Sequence, residues 1–263
     1  MIDIATKRKP GHKPRDERSF ARAQTVIGRV VAERHDRPSL VSQIACDVGA
    51  EIIEGLWLPG DDLNSVELSR RYKTSRTPIR EALMLLEKEG LVNVPPRRRP
   101  RVASLDIEEI REIYRVRAAL FELIAADVAK HALSADIASL RVPLAELERA
   151  YRARDLNGFV WANVDFYDRN TQLASNRTVK RILDSLLLRT LSLRRLSLSQ
   201  AGRMQQSFDD HSRLVKAYEG RDYTLAAALM RSNHINALAA LEAGLAPQGG
   251  EEVRRAVQRS SSI

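Results

Sequence analysis

The 263-residue chain has one cysteine, Cys46, so no internal disulfide framework holds it together. No apolar run is long enough to cross a bilayer. Charges and prolines interrupt the N-terminal stretch, which lacks the apolar segment of a secretory signal. These absences predict a cytoplasmic protein with no membrane partner. There is also no Gly-rich phosphate loop, no nucleophile elbow and no histidine-pair metal motif. The expectation is therefore a protein that is not an enzyme. The residues left for an enzymatic alternative are Asp165, His211 and His234, as a metal or acid–base set.

What is present is charge, with hydrophobic residues at 44% and a formal net charge of +9, a balance that suits a soluble globular protein. The excess is uneven. Residues 1–38 carry 10 Lys+Arg against 5 Asp+Glu, residues 39–103 carry 10 against 9, and residues 104–246 carry 20 against 18. Residues 1–38 thus read as a basic, flexible arm able to attract polyanions. Within it, Phe20 to Arg34 can form a short helix with Val26, Ile27, Val30 and Val31 on one side.

Periodicity divides the rest. Leu40, Ile44, Val48 and Ile52 recur at the four-residue helical step, and Gly55 follows as a stop signal. Leu58 to Asp61 makes a turn, and Ser65 is placed to cap a short helix through about Tyr72. After the tight connection Lys73-Thr74, a helix opens at SRTPIREAL (Ser75 to Leu83) and stops at Gly90. Residues 91–94 and 101–103 read as two short strands joined by PPRRRP. Two helices, a tight turn, a third helix and a two-stranded ribbon make a winged helix-turn-helix over residues 39–103. From Ser104 the strand-like alternation disappears. Six helical stretches with short polar joints predict an all-α bundle over residues 104–246, with Pro143 ending or kinking the second of them. Residues 247–263 read as a flexible tail. The fold class is mainly α, a winged module followed by a helical bundle.

Within SRTPIREAL, Ile79, Ala82 and Leu86 share a face, and Arg76 and Arg80 project together from one flank. The start of the second helix of such a motif meets base edges in the major groove. Arginine there can donate two hydrogen bonds to guanine. Ser75 and Thr77 can cap the helix or bond a phosphate. Pro78 is tolerated because a first-turn amide has no intrahelical partner to lose. The ribbon adds Arg97, Arg98, Arg99 and Arg101, which suit phosphates or a minor groove. Ser75, Arg76, Thr77, Arg80 and these four arginines are the DNA-binding candidates, with double-stranded DNA as partner.

SRTPIREALMLLEKEGLV, with GLWLPGDDL before it, resembles the recognition signature of the GntR superfamily of bacterial transcription regulators. The helical remainder resembles the ligand-binding domain of its FadR-type branch, called FCD, on LASN (Leu173 to Asn176) and on His211 followed by Ala217, Asp222, Ala226 and Met230. The resemblance implies a homodimer, a short palindromic operator, an effector pocket in the helical domain and, commonly, repression. Three departures stand out: Val66 where arginine is frequent, Lys73 where the turn has glycine, and Arg99 where the wing tip has glycine.

The resemblance further implies a metal held by an Asp and a His four apart, a later His, and a His 22 residues beyond it. Here those positions are Asn163, Tyr167, His211 and Asn233. Neutral Asn and Tyr are poor zinc ligands, so no metal cofactor is expected and His211 is the remaining candidate ligand. A polar pocket of Asn163, Tyr167, His211 and Asn233 suits an organic effector instead. A carboxylate effector needs a cation. Arg117, which matches an arginine common in the family, and Arg189 are the candidates, with ion pairing inside the protein as the alternative for each. The other alternative keeps the DNA module and makes the bundle a ligand-free dimerisation unit.

Overall fold

The computed structural model describes residues 16–32 and 39–245. The expectations for residues 1–15 and 33–38 and for the tail lie outside them. The chain falls into two compact units that part between Ser104 and Leu105.

The first unit begins with α1 (Glu17–Ala32). Phe20, Ala23 and Ile27 recur at helical spacing and are buried, packed toward α2 (Leu40–Ile53). Gly49 of α2 permits this approach. A Cβ there would lie 2.9 Å from Ile27 Cδ1 and 3.1 Å from Leu86 Cδ2, closer than ordinary packing allows. Polar bonds add to the seam: Ser19 Oγ donates to Glu54 Oε1 at 2.8 Å, and Gln24 Nε2 to Asp47 Oδ1 at 2.6 Å. This corrects the reading of residues 1–38 as one flexible arm. From Glu17 to Ala32 they form a helix built into the unit, on Phe20, Ala23 and Ile27 rather than on Val26 and Val30.

In α2, Ile44, Val48 and Ile52 are buried, while Leu40, in the first turn, is exposed. Gly55, at φ 74°, turns the chain out of the helix. α3 (Ser65–Arg71) is capped by Asn64, whose side chain accepts from the Val66 amide at 3.0 Å; Ser65, the expected cap, is the first helical residue. Lys73 turns the chain at φ 49°. α4 (Arg76–Lys88) then buries Ile79, Ala82, Leu83 and Leu86 against α2. β1 (Val92–Asn93) and β2 (Arg101–Val102) pair antiparallel, Val92 opposite Val102. A bridge from Asp62 to Arg101 ties the ribbon to the turn before α3.

The second unit holds α5 (Ile107–His131), α6 (Ser134–Ala138), α7 (Arg141–Arg152), α8 (Leu156–Ala174), α9 (Arg177–Leu198), α10 (Arg203–Glu219) and α11 (Tyr223–Leu245). These are seven helices among the described residues rather than six. The expected second helix breaks at Ser139-Leu140, and Pro143 sits in the first turn of α7, where its missing amide costs no helical bond. α11 lies along α5 and also meets α9 and α10, and α8 packs on α5, α7 and α9. Two apolar clusters result. The larger includes Phe121, Ile124, Phe166, Leu183, Leu214 and Met230; the smaller joins Ile110, Ile113, Tyr114, Leu193 and Leu241. Between them α5, α9 and α11 each carry a polar layer.

Candidate functional site

In the first unit, α4 presents Arg76, Thr77 and Arg80 to solvent beside its buried stripe. Ser75 takes the N-cap position with extended backbone, yet its side chain makes no capping bond. Ser75 and Thr77 are exposed alongside the arginines. Neither Arg76 nor Arg80 has an ion-pair partner among the described residues. By contrast Arg71 of α3 is fully engaged. It donates to both carboxylate oxygens of Glu51, which also accepts from Trp57 Nε1 at 3.0 Å. Tyr72 Oη reaches Asp47 at 3.3 Å. These bonds fix α3 against α2 and so set the angle at which α4 leaves the turn.

On the ribbon, Arg97, Arg98, Arg99 and Arg101 are all exposed. They differ in role. Arg101 Nε donates to Asp62 Oδ1 at 2.7 Å, and Arg99 lies 3.9 Å from the same carboxylate. Arg101 therefore braces the ribbon, while Arg97 and Arg98 stand clear at its tip. The left-handed residue at the tip is Arg97, at φ 58°, not Arg99. The departure from glycine at Arg99 thus places no demand on the backbone. Lys73, another of the three departures, does adopt a left-handed conformation, which a glycine would hold without strain.

In the second unit a cavity of about 30 Å³ opens in the polar layer. Tyr114 and Arg117 from α5, Asn163 and Tyr167 from α8, Arg194 and Ser197 from α9, Arg203 and Ser207 from α10, and Asn233 and His234 from α11 line it. The position of each follows from helical period. Arg117 is four residues after Ile113 and four before Phe121, on the buried stripe of α5. Arg194 continues the stripe of Thr190 and Ser197 on α9. Asn163 with Tyr167, and Arg203 with Ser207, are pairs four apart on one face.

The electrostatics of this layer are one-sided. Arg117, Arg194 and Arg203 are 4%, 8% and 5% exposed. Arg117 Nη1 reaches Thr190 Oγ1 at 3.3 Å, and Arg203 Nη1 bonds Gln206 Oε1 at 2.6 Å. Arg194 lies over the Tyr167 ring, 5.0 Å from its centroid, a favourable cation–π placement. Even so, Arg117 Nε, Arg194 Nη1 and Arg203 Nε are buried with no hydrogen-bond partner. Among the described residues no carboxylate lines the cavity. Asp210 stands behind it, accepting from Asn233 and Asn236 at 3.4 Å each. Burial first, and then the charge of Arg117, lower the pKa of Arg194 to about 10, so it stays protonated at neutral pH.

His211 and His234 are neutral at neutral pH. His211 Nδ1–H donates to the Ser207 carbonyl, leaving Nε2 to accept from Asn163 Nδ2 at 3.4 Å. Burial lowers its pKa to about 4, with the cations Arg194 and Arg203 adding to the effect. His234 Nδ1–H donates to the Met230 carbonyl at 3.0 Å, and its ring stacks on Phe121. Burial and Arg117 hold its pKa well below the usual range. Tyr167 Oη donates to Asn233 Oδ1 at 3.2 Å.

Of the expected effector residues, Arg117, Asn163, Tyr167 and Asn233 line the cavity. His211 stands one layer behind, holding Asn163. Arg189 is elsewhere: partly exposed, it faces Glu109 at 3.4 Å. Sequence reasoning missed Tyr114, Arg194, Ser197, Arg203 and Ser207, and took His234 only as part of the enzymatic alternative with Asp165 and His211. The signal was available in Arg194, a charged residue at helical spacing from Leu183, Leu191 and Leu198. The enzymatic set is not assembled, since Asp165 lies on the exposed face of α8. Among the described residues no group of three His, Cys, Asp or Glu is placed to hold a metal.

Comparison with known proteins agrees with this architecture. Residues 40–102 match the bacterial regulatory proteins of the gntR family, and residues 112–237 match the FCD domain. The chain is 25% identical over 207 residues to the gluconate operon transcriptional repressor of Bacillus licheniformis, covering 76% of this chain and 83% of that one. It is 31% identical over 134 residues to the uncharacterized HTH-type transcriptional regulator YdhC of Bacillus subtilis, covering 51% of this chain and 60% of YdhC. In fold it is similar to E. coli McbR/YncC, with a TM-score of 0.64 at 21% identity over 78% of this chain and 98% of that one. The chain belongs to the GntR family of bacterial transcription regulators, with an FCD domain as its helical half.

Proposed function

We propose that this GntR-family regulator is a cytoplasmic homodimer and a repressor, whose affinity for a palindromic operator is set by a small anionic effector in the FCD cavity. The observation that carries the DNA half is the exposed pair Arg76 and Arg80 at the start of α4, without an internal partner. The side chains that would reach base edges are Arg76 and Arg80, with Thr77 and Ser75 on phosphates. Arg97 and Arg98 would follow the backbone or a minor groove, and Arg101 would hold the ribbon in place. The effector half rests on the buried arginines. Repression is the role named for the gluconate operon relative. No enzymatic role is proposed.

Effector control is a population shift: a ligand that prefers one arrangement of the two DNA modules changes how well they match two half-sites. Selecting bound DNA from a random pool tests the reading. A recovered palindrome supports it, and no enriched sequence overturns it. On that site Arg80→Ala should lose about 1–3 kcal/mol of binding and relax one base-pair position. Unchanged affinity and preference would remove Arg80 from the interface.

A further inference from the structure

Three buried guanidinium nitrogens, one each from Arg117, Arg194 and Arg203, have no hydrogen-bond partner, and all three side chains line one cavity. Orphaned buried donors are rare in folded proteins and call for a specific explanation. An unpaired buried charge is costlier still. Structural pairing does not supply that explanation, because the lining holds no Asp or Glu. Among the described residues the acid whose charge acts on the cluster is Asp210, which favours the cationic form of Arg203. Three positive charges against this one carboxylate leave two uncompensated.

The neutral groups point the same way. His211 and His234 spend their Nδ1 protons on backbone carbonyls, and both are uncharged at neutral pH. They neither balance the arginines nor add to them. The arginines come from three different helices, so their forks converge from several directions. One carboxylate presents a single charge and two oxygens. Two carboxylates, or one doubly ionised phosphoryl group, match both the charge and the spread of donors, and planar guanidinium forks suit either.

Resting on the effector reading above, we propose that the cavity binds a compact organic dianion directly through Arg117, Arg194 and Arg203. The cavity has room for about two waters, so the ligand enters as lining side chains move outward. Arg203 is the first residue of α10 and Arg194 is near the end of α9. Binding therefore acts on both helices that flank residues 199–202.

The test uses the full chain, treated with EDTA, in thermal-shift and calorimetric titrations. The probes are acetate and propionate as monoanions, malonate and succinate as dicarboxylates, and inorganic phosphate. A dianion should bind roughly tenfold or more tighter than either monoanion. A dicarboxylate preference would identify a dicarboxylate ligand, and a phosphate preference a phosphoryl ligand. Arg194→Gln and Arg117→Gln should each weaken that binding at least about tenfold while melting no lower than wild type without ligand. Monoanions binding as tightly as every dianion, or no dianion binding at all, would overturn the proposal. So would binding that requires an added metal. Dianion binding that leaves operator affinity unchanged would sink effector control but leave the site intact. Operator binding by a protein that takes up none of the dianions would sink the site but leave the DNA-binding reading intact.

Discussion

In the winged module Arg76 and Arg80 stand in solvent, while in the FCD unit Arg117, Arg194 and Arg203 lie more than nine-tenths buried. Among the described residues neither group forms an ion pair with a carboxylate. The consequences differ because solvent differs. A hydrated arginine costs the fold little and waits for a polyanion of any length. A buried one costs the fold until an anion arrives that fits inside. The same side chain thus reads as a surface for DNA in one unit and as a demand for a small ligand in the other.

The sharpest way to break that comparison is salt. Operator binding through about six phosphate contacts should weaken on the order of 10³-fold between 50 and 200 mM salt, through counterion release. Dianion binding in the cavity should change by less than about tenfold, because buried charges are screened much less. Fluorescence anisotropy on labelled operator and calorimetry with the best dianion measure the two. Parallel losses would mean that the cavity arginines are in effect solvated.

This contrast also explains what the sequence revealed. Arg76 and Arg80 sit in a short contiguous motif, and exposed residues of a motif need no knowledge of tertiary packing. The cavity draws on five helices separated by up to more than a hundred residues, and only helical period connects them. Arg117, Asn163, Tyr167 and Asn233 were reached through the expected metal positions and the family arginine. Arg194 was missed for Arg189, five residues earlier and so rotated by roughly 140° around α9. Burial of the stripe Val179, Leu183, Thr190, Arg194 and Ser197 decides between them. The six helical stretches were legible from apolar spacing. The break before α7 was legible only in part: Pro143 marked an end or a kink, but the turn itself lies earlier, at Ser139-Leu140, where no residue signals it. The fit of α1 was hidden because Gly49, the residue that admits Ile27, is distant in sequence.

A second prediction tests the cost assigned to a buried arginine. Arg71 shows what the FCD arginines lack, a carboxylate that takes both arms of its fork. Glu51→Ala would take from Arg71 and the Trp57 indole the acceptor that they share, leaving a half-buried guanidinium with only the more distant Asp47 charge to offset it. The expected loss is about 3 kcal/mol in the cooperative unfolding of the DNA-binding unit, read by urea denaturation. Glu51→Gln keeps an acceptor and should recover part of it. If Glu51→Ala were as stable as wild type, unpaired guanidiniums would be cheap in this chain, and the case for a cavity anion would lose its main support.

The smallest effect is also the most local. His211 is held near a pKa of about 4 by burial and by Arg194 and Arg203, against about 6.5 in the unfolded chain. Between those values the unfolded state binds a proton that the folded state refuses. His211 therefore favours folding fully above about pH 6.5, and that contribution is lost as pH falls toward 4. At pH 5 the loss from His211 is roughly 2 kcal/mol; Asp210, raised by burial, opposes it as the pH falls further. Because part of the depression comes from the arginines, a bound dianion should raise the His211 pKa and narrow the window. Arg194→Gln should do the same without ligand. Proton NMR of the His211 ring across pH 4–7, with and without dianion, reads this directly. A midpoint unmoved by both the ligand and the substitution would show that desolvation alone sets it, and that no anion comes to rest beside Arg194.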